Sequence, residues 1–510
     1  MKKHTNRTTT TLMLALFAAS LLALAAPPAR AAAPPDDTEI ADTLEDEFAR
    51  DGVVPVERIN VAVEDGVVTL SGTASNLLAK ERATRIAETI KGVISVVNTI
   101  GVDPREPVDD AAISENVRVA LIADPAVEKS GLDIKVSDGT VTLGGTVNSW
   151  QEKELAVKVA KAIKGVRSVV SNIDVDYEED RPDAELQNEV RRALKWNALV
   201  DDGLIVVRVR NAKVTLTGTV GSAAEKTEAI TSAWVAGVEK VDASALEVSP
   251  HGRDESMRKD TYAPRMDAEI QGAVKRALAS APRVPAGEVD VDVDEAEVTL
   301  RGRVDTVKAK RAAARAARNT VGVLKVNNRV RVRPDLEEEP PGLAKRVEEA
   351  LARNAYVEPY DIRVRVEGGV ANLYGSVDSR FEKVHADEVA AGVAGVTEVD
   401  NHLHVPGDAG EAGEAGGGPY VDPWELKEYA WASVPAAYPQ KNDAAIREEI
   451  ERNLAWSAVV NEEAISVVVE DGVAQLIGTV NSASEKKAAE RKAYAGGAVW
   501  VDNNIEVNPN

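Results

Sequence analysis

The phrase Val68-Thr69-Leu70-Ser71-Gly72-Thr73 is followed twenty residues after its glycine by Gly92-Val93, and the pair returns five times. The later first glycines are Gly145, Gly218, Gly302, Gly375 and Gly478, and their partners are Gly165, Gly237, Gly322, Gly395 and Gly497. The two glycines of a copy stand 19 or 20 residues apart in every copy, and three of the five intervals between first glycines are 73 residues. A recurring period marks one supersecondary unit written repeatedly. The spacing therefore predicts six small domains of roughly 65–70 residues, each individually marginal because a chain of that size buries only about 60% of its unfolded surface.

Within each copy the apolar positions change period. Ile113, Val117 and Leu121 recur every four residues, as do Leu186, Val190 and Leu194, which predicts an amphipathic helix. Leu132, Ile134 and Val136 then alternate, which predicts a strand with one polar face. A second strand ends at the first marker glycine, a second helix runs to the second, and a third strand closes the copy. The order is helix, strand, strand, helix, strand, with both helices on the one apolar face of the sheet. Asp37, Asp110, Asp183, Asp267 and Asp443 stand three residues ahead of the helical stripe, where their carboxylates are expected to cap first-turn N–H groups. The second marker glycine is expected at the left-handed end of the second helix. Asp65-Gly66, Asp138-Gly139 and Asp471-Gly472 predict tight hairpins. Asn211-Ala212 and Glu295-Ala296 stand in their place in copies three and four, and a different turn geometry is expected there.

The chain carries a formal charge of −23, which disfavours bulk nucleic acid and anionic lipid except through a local patch. It has no cysteine, so neither disulfides nor thiolate chemistry are available. Lys2, Lys3 and Arg7 precede the apolar run 12–26 and small-residue cleavage sites around Ala31, so residues 1–33 read as an export signal. No later stretch reads as a transmembrane span. Residues 407–418 are rich in Gly, Ala and Glu and are expected to be flexible. The stretch 420–438, with Tyr420, Trp424, Tyr429, Trp431 and Tyr438, reads as a docked aromatic segment or a partner contact.

With these markers in register, the chain resembles the BON (bacterial OsmY and nodulation) domain family. The shared features are the glycine that closes the second strand and the Gly-Val that precedes a strand with Val and Asn. The resemblance implies an α+β protein of six tandem αββαβ BON-like domains, each a three-stranded sheet with two helices on one face. The domains span 36–103, 109–176, 183–248, 267–333, 340–405 and 443–508, with linkers at 249–266 and 406–442. It also implies a non-enzymatic binding or scaffold protein of the bacterial envelope, periplasmic or secreted, that associates weakly with phospholipid headgroups or envelope proteins under stress. The alternative is an osmotic-stress, chaperone-like protein that protects unfolded envelope clients.

No pattern of catalytic residues recurs among the copies, and no catalytic residue, metal ligand or cofactor is expected. His402 and His404 read as surface residues. The twelve marker glycines read as structural. The fourth domain breaks the acidic rule, with fourteen Lys/Arg against nine Asp/Glu in 267–333. Its second helix carries Lys308, Lys310, Arg311, Arg315 and Arg318, which form a candidate anionic-surface contact, and Arg329, Arg331 and Arg333 continue on the next strand. The competing reading pairs this helix with acidic neighbouring domains.

Overall fold

In the computed structural model each unit builds its alternating segments into one sheet, three-stranded except in the first unit, where the third strand is divided into Ser95–Asn98 and Gly101–Val102. We designate the units D1 to D6 in chain order. The structure describes residues 35–51, 53–127, 131–177, 181–249, 265–334, 342–405, 442–470, 472–498 and 500–508. The export segment 1–33 and the stretches 407–418 and 420–438 lie outside the described residues.

The first and second helices are α1 (Asp37–Asp51) and α2 (Leu77–Glu88) in D1, α3 (Asp110–Ala123) and α4 (Trp150–Lys161) in D2, and α5 (Asp183–Trp196) and α6 (Ala223–Ser232) in D3. They are α7 (Asp267–Ala279) and α8 (Val307–Arg318) in D4, α9 (Leu343–Arg353) and α10 (Arg380–Ala391) in D5, and α11 (Asp443–Ala455) and α12 (Ala483–Ala495) in D6. D2 shows the sheet pattern. Strand 140–147 lies in the centre, antiparallel to 133–137 and parallel to 168–175, so the second helix is the crossover that a parallel neighbour requires. Val141, Leu143 and Val147 point inward and are buried with Ile113, Val117 and Leu121 of α3. Every domain keeps its own aliphatic cluster.

Three local expectations change. The recurring aspartates do not cap their own helix; they staple the hairpin turn to it. Asp37 accepts from the N–H groups of Asp65 and Gly66 at 2.8 and 2.9 Å, and Asp110 and Asp183 repeat the arrangement on Asp138-Gly139 and Asn211-Ala212. Asp267 does the same for Glu295-Ala296. The turns without glycine are also not different in geometry. Asn211 and Ala212 take φ of 50° and 56°, and Glu295 and Ala296 take 49° and 60°, the left-handed pair of a two-residue hairpin. A carboxylate that satisfies both amides holds a conformation the residues themselves disfavour. D5 lacks the aspartate and uses Gly368-Gly369, which needs no such support.

All twelve marker glycines have positive φ. A Cβ on Gly72 would stand 2.1 Å from the Arg58 carbonyl oxygen, so nothing larger fits between the first two strands there. Gly92 lies beyond the helix rather than at its end: α2 stops at Glu88, and Thr89 to Lys91 form a short bridge to another domain.

That bridge recurs and organises the molecule, because the six domains pack into one unit. Lys91 N–H donates to Trp456 O and Ala458 N–H to Thr89 O, joining D1 to D6. Lys164 with Arg353 and Ala355 with Ala162 join D2 to D5 in the same way. Ala198 with Asn319 and Val321 with Trp196 join D3 to D4. Within the first half, the opening residue of each second helix inserts into a neighbour. Leu77 belongs to the D2 cluster, Trp150 stacks on Trp234 of D3 at 5.2 Å with planes 2° apart, and Ala223 belongs to the D1 cluster. D1, D2 and D3 thus close a ring. In the second half Val307 of D4 enters the D5 cluster, and Ser484 of D6 donates to Asn319 of D4.

Candidate functional site: the charged and apolar faces of the assembly

The ring geometry puts the second helices between domains, and this decides what the basic helix can do. No residue with described burial in α8 is exposed, and Arg315 is only 5% exposed. Arg311 donates to Asp387 Oδ2 at 2.6 Å and to Glu388 Oε1 at 2.7 Å, both on α10 of D5. Burial opposes the guanidinium charge, but these two carboxylates outweigh it and hold Arg311 above its ordinary range. Lys308 Nζ lies 3.8 Å from Glu388. Of the candidate contact Lys308, Lys310, Arg311, Arg315 and Arg318, Arg311 and Lys308 thus face carboxylates of D5 across an inter-domain seam, and Arg315 is buried. The alanines between the basic residues, Ala309, Ala312, Ala313 and Ala317, pack into the D4 core, and Val307 at the start of the helix enters the D5 cluster, which sets α8 against D5.

The arginines that continue on the D4 sheet have the opposite fate. Strand 325–332 is an edge strand, parallel to the central strand 297–304. Arg329, Arg331 and Arg333 alternate with Val330 and Val332 and are exposed. Arg301 lies directly opposite Arg329, and Arg303 opposite Arg331. Arg301 Nη1 is 3.3 Å from Asp292 and Arg303 Nε is 2.7 Å from Glu288, both exposed pairs of little strength. Like charges placed opposite one another across strands destabilise a sheet. One basic side chain would suffice to block strand addition at an edge, so five arginines on one face exceed that need.

D5 presents a different face. Tyr374 stacks on His402 at 5.0 Å and is opposite Arg363 on the other side. His402 and His404 are exposed. Among the described residues no group of three or more His, Cys, Asp or Glu is placed to hold a metal ion. D6 turns apolar groups outward: Val468, Ile477 and Trp500 are 49%, 47% and 53% exposed on the sheet face away from the helices. No described helix is long and apolar enough to cross a membrane.

Comparison with known proteins follows the repeat. The model of the BON domain matches six times, at 36–104, 109–177, 182–250, 266–334, 341–407 and 442–509. Osmotically-inducible protein Y of Escherichia coli is 33% identical over 121 residues, which are 22% of this chain and 60% of that protein. This chain thus matches about three fifths of that relative's length. Outer membrane lipoprotein DolP of Haemophilus influenzae is 27% identical over 140 residues, 26% of this chain and 72% of that protein. The 21 kDa hemolysin of Actinobacillus pleuropneumoniae is 29% identical over 121 residues, 23% of this chain and 62% of that protein.

Proposed function

The chain belongs to the BON domain family, and from that membership we propose a non-enzymatic binding and scaffold protein of the bacterial cell envelope that works in the periplasm. Its relatives support the compartment: one is named for osmotic induction and another as an outer membrane lipoprotein. The observation that carries the binding role is the D4 sheet face, where Arg301, Arg303, Arg329, Arg331 and Arg333 stand together on a chain of net charge −23. Guanidinium groups suit phosphate oxygens, and each basic residue near an anionic lipid surface contributes on the order of 1 kcal/mol. The contact is peripheral and salt-sensitive, because the face lacks an apolar ridge for insertion.

Flotation with vesicles containing phosphatidylglycerol tests this reading. Binding at low salt is expected, weakened at 0.5 M salt and abolished in Arg329→Glu/Arg331→Glu. Neutral vesicles should leave the protein at the bottom of the gradient. Equal flotation of the charge-reversed variant, or none by the intact chain, refutes the lipid contact.

The outward apolar residues of D6 favour a second reading, in which that face holds exposed segments of unfolded clients. In that case Trp500→Ser lowers the suppression of client aggregation and leaves flotation unchanged.

A further inference from the structure

Three domains, D2, D4 and D5, line a cavity of about 280 Å³. Its apolar wall comes from Val119 and Ala123 of α3, Val159 of α4, Ala350 of α9, and Val389 and Val393 from D5. The polar groups are Lys158 of D2, Arg283 and Lys308 of D4, and Arg346 and Arg353 of D5, against the carboxylates Asp124, Asp305 and Glu349. Five cations thus face three anions, the reverse of the balance in the whole chain.

The anions are partly committed. Asp124 receives Arg283 Nη2 at 2.9 Å. Burial disfavours its ionised form, but Arg283 and Lys308 outweigh burial and hold it below the usual carboxylate range. Glu349 is about half exposed and stands 3.7 Å from Lys345 and 3.9 Å from Arg353. Arg353 is held below its ordinary range by burial, with Glu349 only partly offsetting it. Arg346 has no ion pair among the described residues and lies two turns, about 10 Å of helix, before Arg353 on the same face, with Glu349 between them. Cavities with apolar walls and a few converging polar groups, placed between domains, are the usual form of small-molecule sites.

We infer that this cleft binds a small organic anion with an apolar tail, a short- to medium-chain carboxylate, its head on Arg346 and its tail along Val159 and Val389. The site would exist only in the assembled protein, since α4, α8 and α9 come from three domains. It is separate from the D4 sheet face, so its test and the flotation test fail independently.

Isothermal titration of the full chain with octanoate tests the inference. Saturable binding of one octanoate per chain is expected, with octanol at least tenfold weaker and inorganic phosphate without measurable heat. Arg346→Ala should weaken octanoate at least tenfold with the thermal midpoint unchanged, because the residue sits at the rim. Ala350→Phe, which fills the apolar side and keeps every charge, should abolish binding; if that variant does not fold, Val159→Phe replaces it. No saturable heat up to millimolar octanoate overturns the inference. So does octanoate binding that survives both Arg346→Ala and the filled cavity.

Discussion

Glu47→Ala should loosen D6 from D1 without unfolding either. Lys492 Nζ lies 3.2 Å from Glu47 Oε1, and the two side chains are 1% and 2% exposed. Removing one partner of such a buried pair typically costs about 3–5 kcal/mol, because the other charge stays out of water. The cost acts at the interface, since Glu47 is on α1 and Lys492 on α12. At about 1.4 kcal/mol per factor of ten, the open population rises by roughly two to four powers of ten. The Arg50 contacts with Glu449 and Asn453 and the Lys91–Glu462 pair remain, which favours the lower end. Hydrogen exchange read by mass spectrometry reports on this directly. The amides of Lys91 and Ala458 are the two bonds of the D1–D6 bridge, so peptides spanning them should exchange faster by that factor. Peptides over the D2–D5 bridge should not change. Glu47→Leu/Lys492→Met should restore protection to at least the parent level, since a well-packed apolar pair replaces a buried ion pair at little or no cost. Unchanged exchange in Glu47→Ala, or a double variant looser than the single one, would refute the reasoning.

Three further outcomes follow from the same geometry. Ala212→Gly should stabilise the D3 hairpin by about 0.5–1 kcal/mol, as relief of a left-handed alanine exceeds the added freedom of the unfolded chain; exchange of the hairpin amides measures it. The Asp183 carboxyl is held below the usual carboxylate range by the N–H groups of Ala212 and Asn211. Its contribution is therefore complete above the unfolded carboxylate pKa and fades as pH falls through the lowered folded value; hairpin protection should drop in that acid window, and Asp183→Ala should remove the dependence. Trp150→Ala should break the D2–D3 contact, costing about 0.5–1.5 kcal/mol beyond the lost area, and should erase the exciton signal of the stacked tryptophans in circular dichroism.

The fold of each unit was legible because period-four stripes and period-two alternation are local signals. Ile113, Val117 and Leu121 and the inward Val141 and Leu143 needed no knowledge of any other domain. The aspartate role is not legible in the sequence for the opposite reason: Asp37 and Gly66 are 29 residues apart in sequence, and only the finished hairpin brings them to 2.9 Å. A capping position and a stapling position look alike until the sheet forms.

The assembly was hidden in a subtler way. A helix with one buried stripe can carry any polar residue elsewhere, as α3 does with Ser114, Glu115 and Arg118. The second helices do not behave so. In α8 the buried set is Val307, Ala309, Ala312, Ala313, Arg315 and Ala317, which fall on all sides of the helix rather than along one. Buried Arg315 in α8 and buried Arg491 and Lys492 in α12 mark the added contact, while the alanines between them pack into each helix's own domain core. A cation on such a helix finds its anion on the neighbouring domain, as Arg311 finds Asp387 and Glu388. The same residue type on the D4 edge strand, with no described element packed over it, stays exposed. Position relative to a second layer, and not charge, separates a seam from a surface.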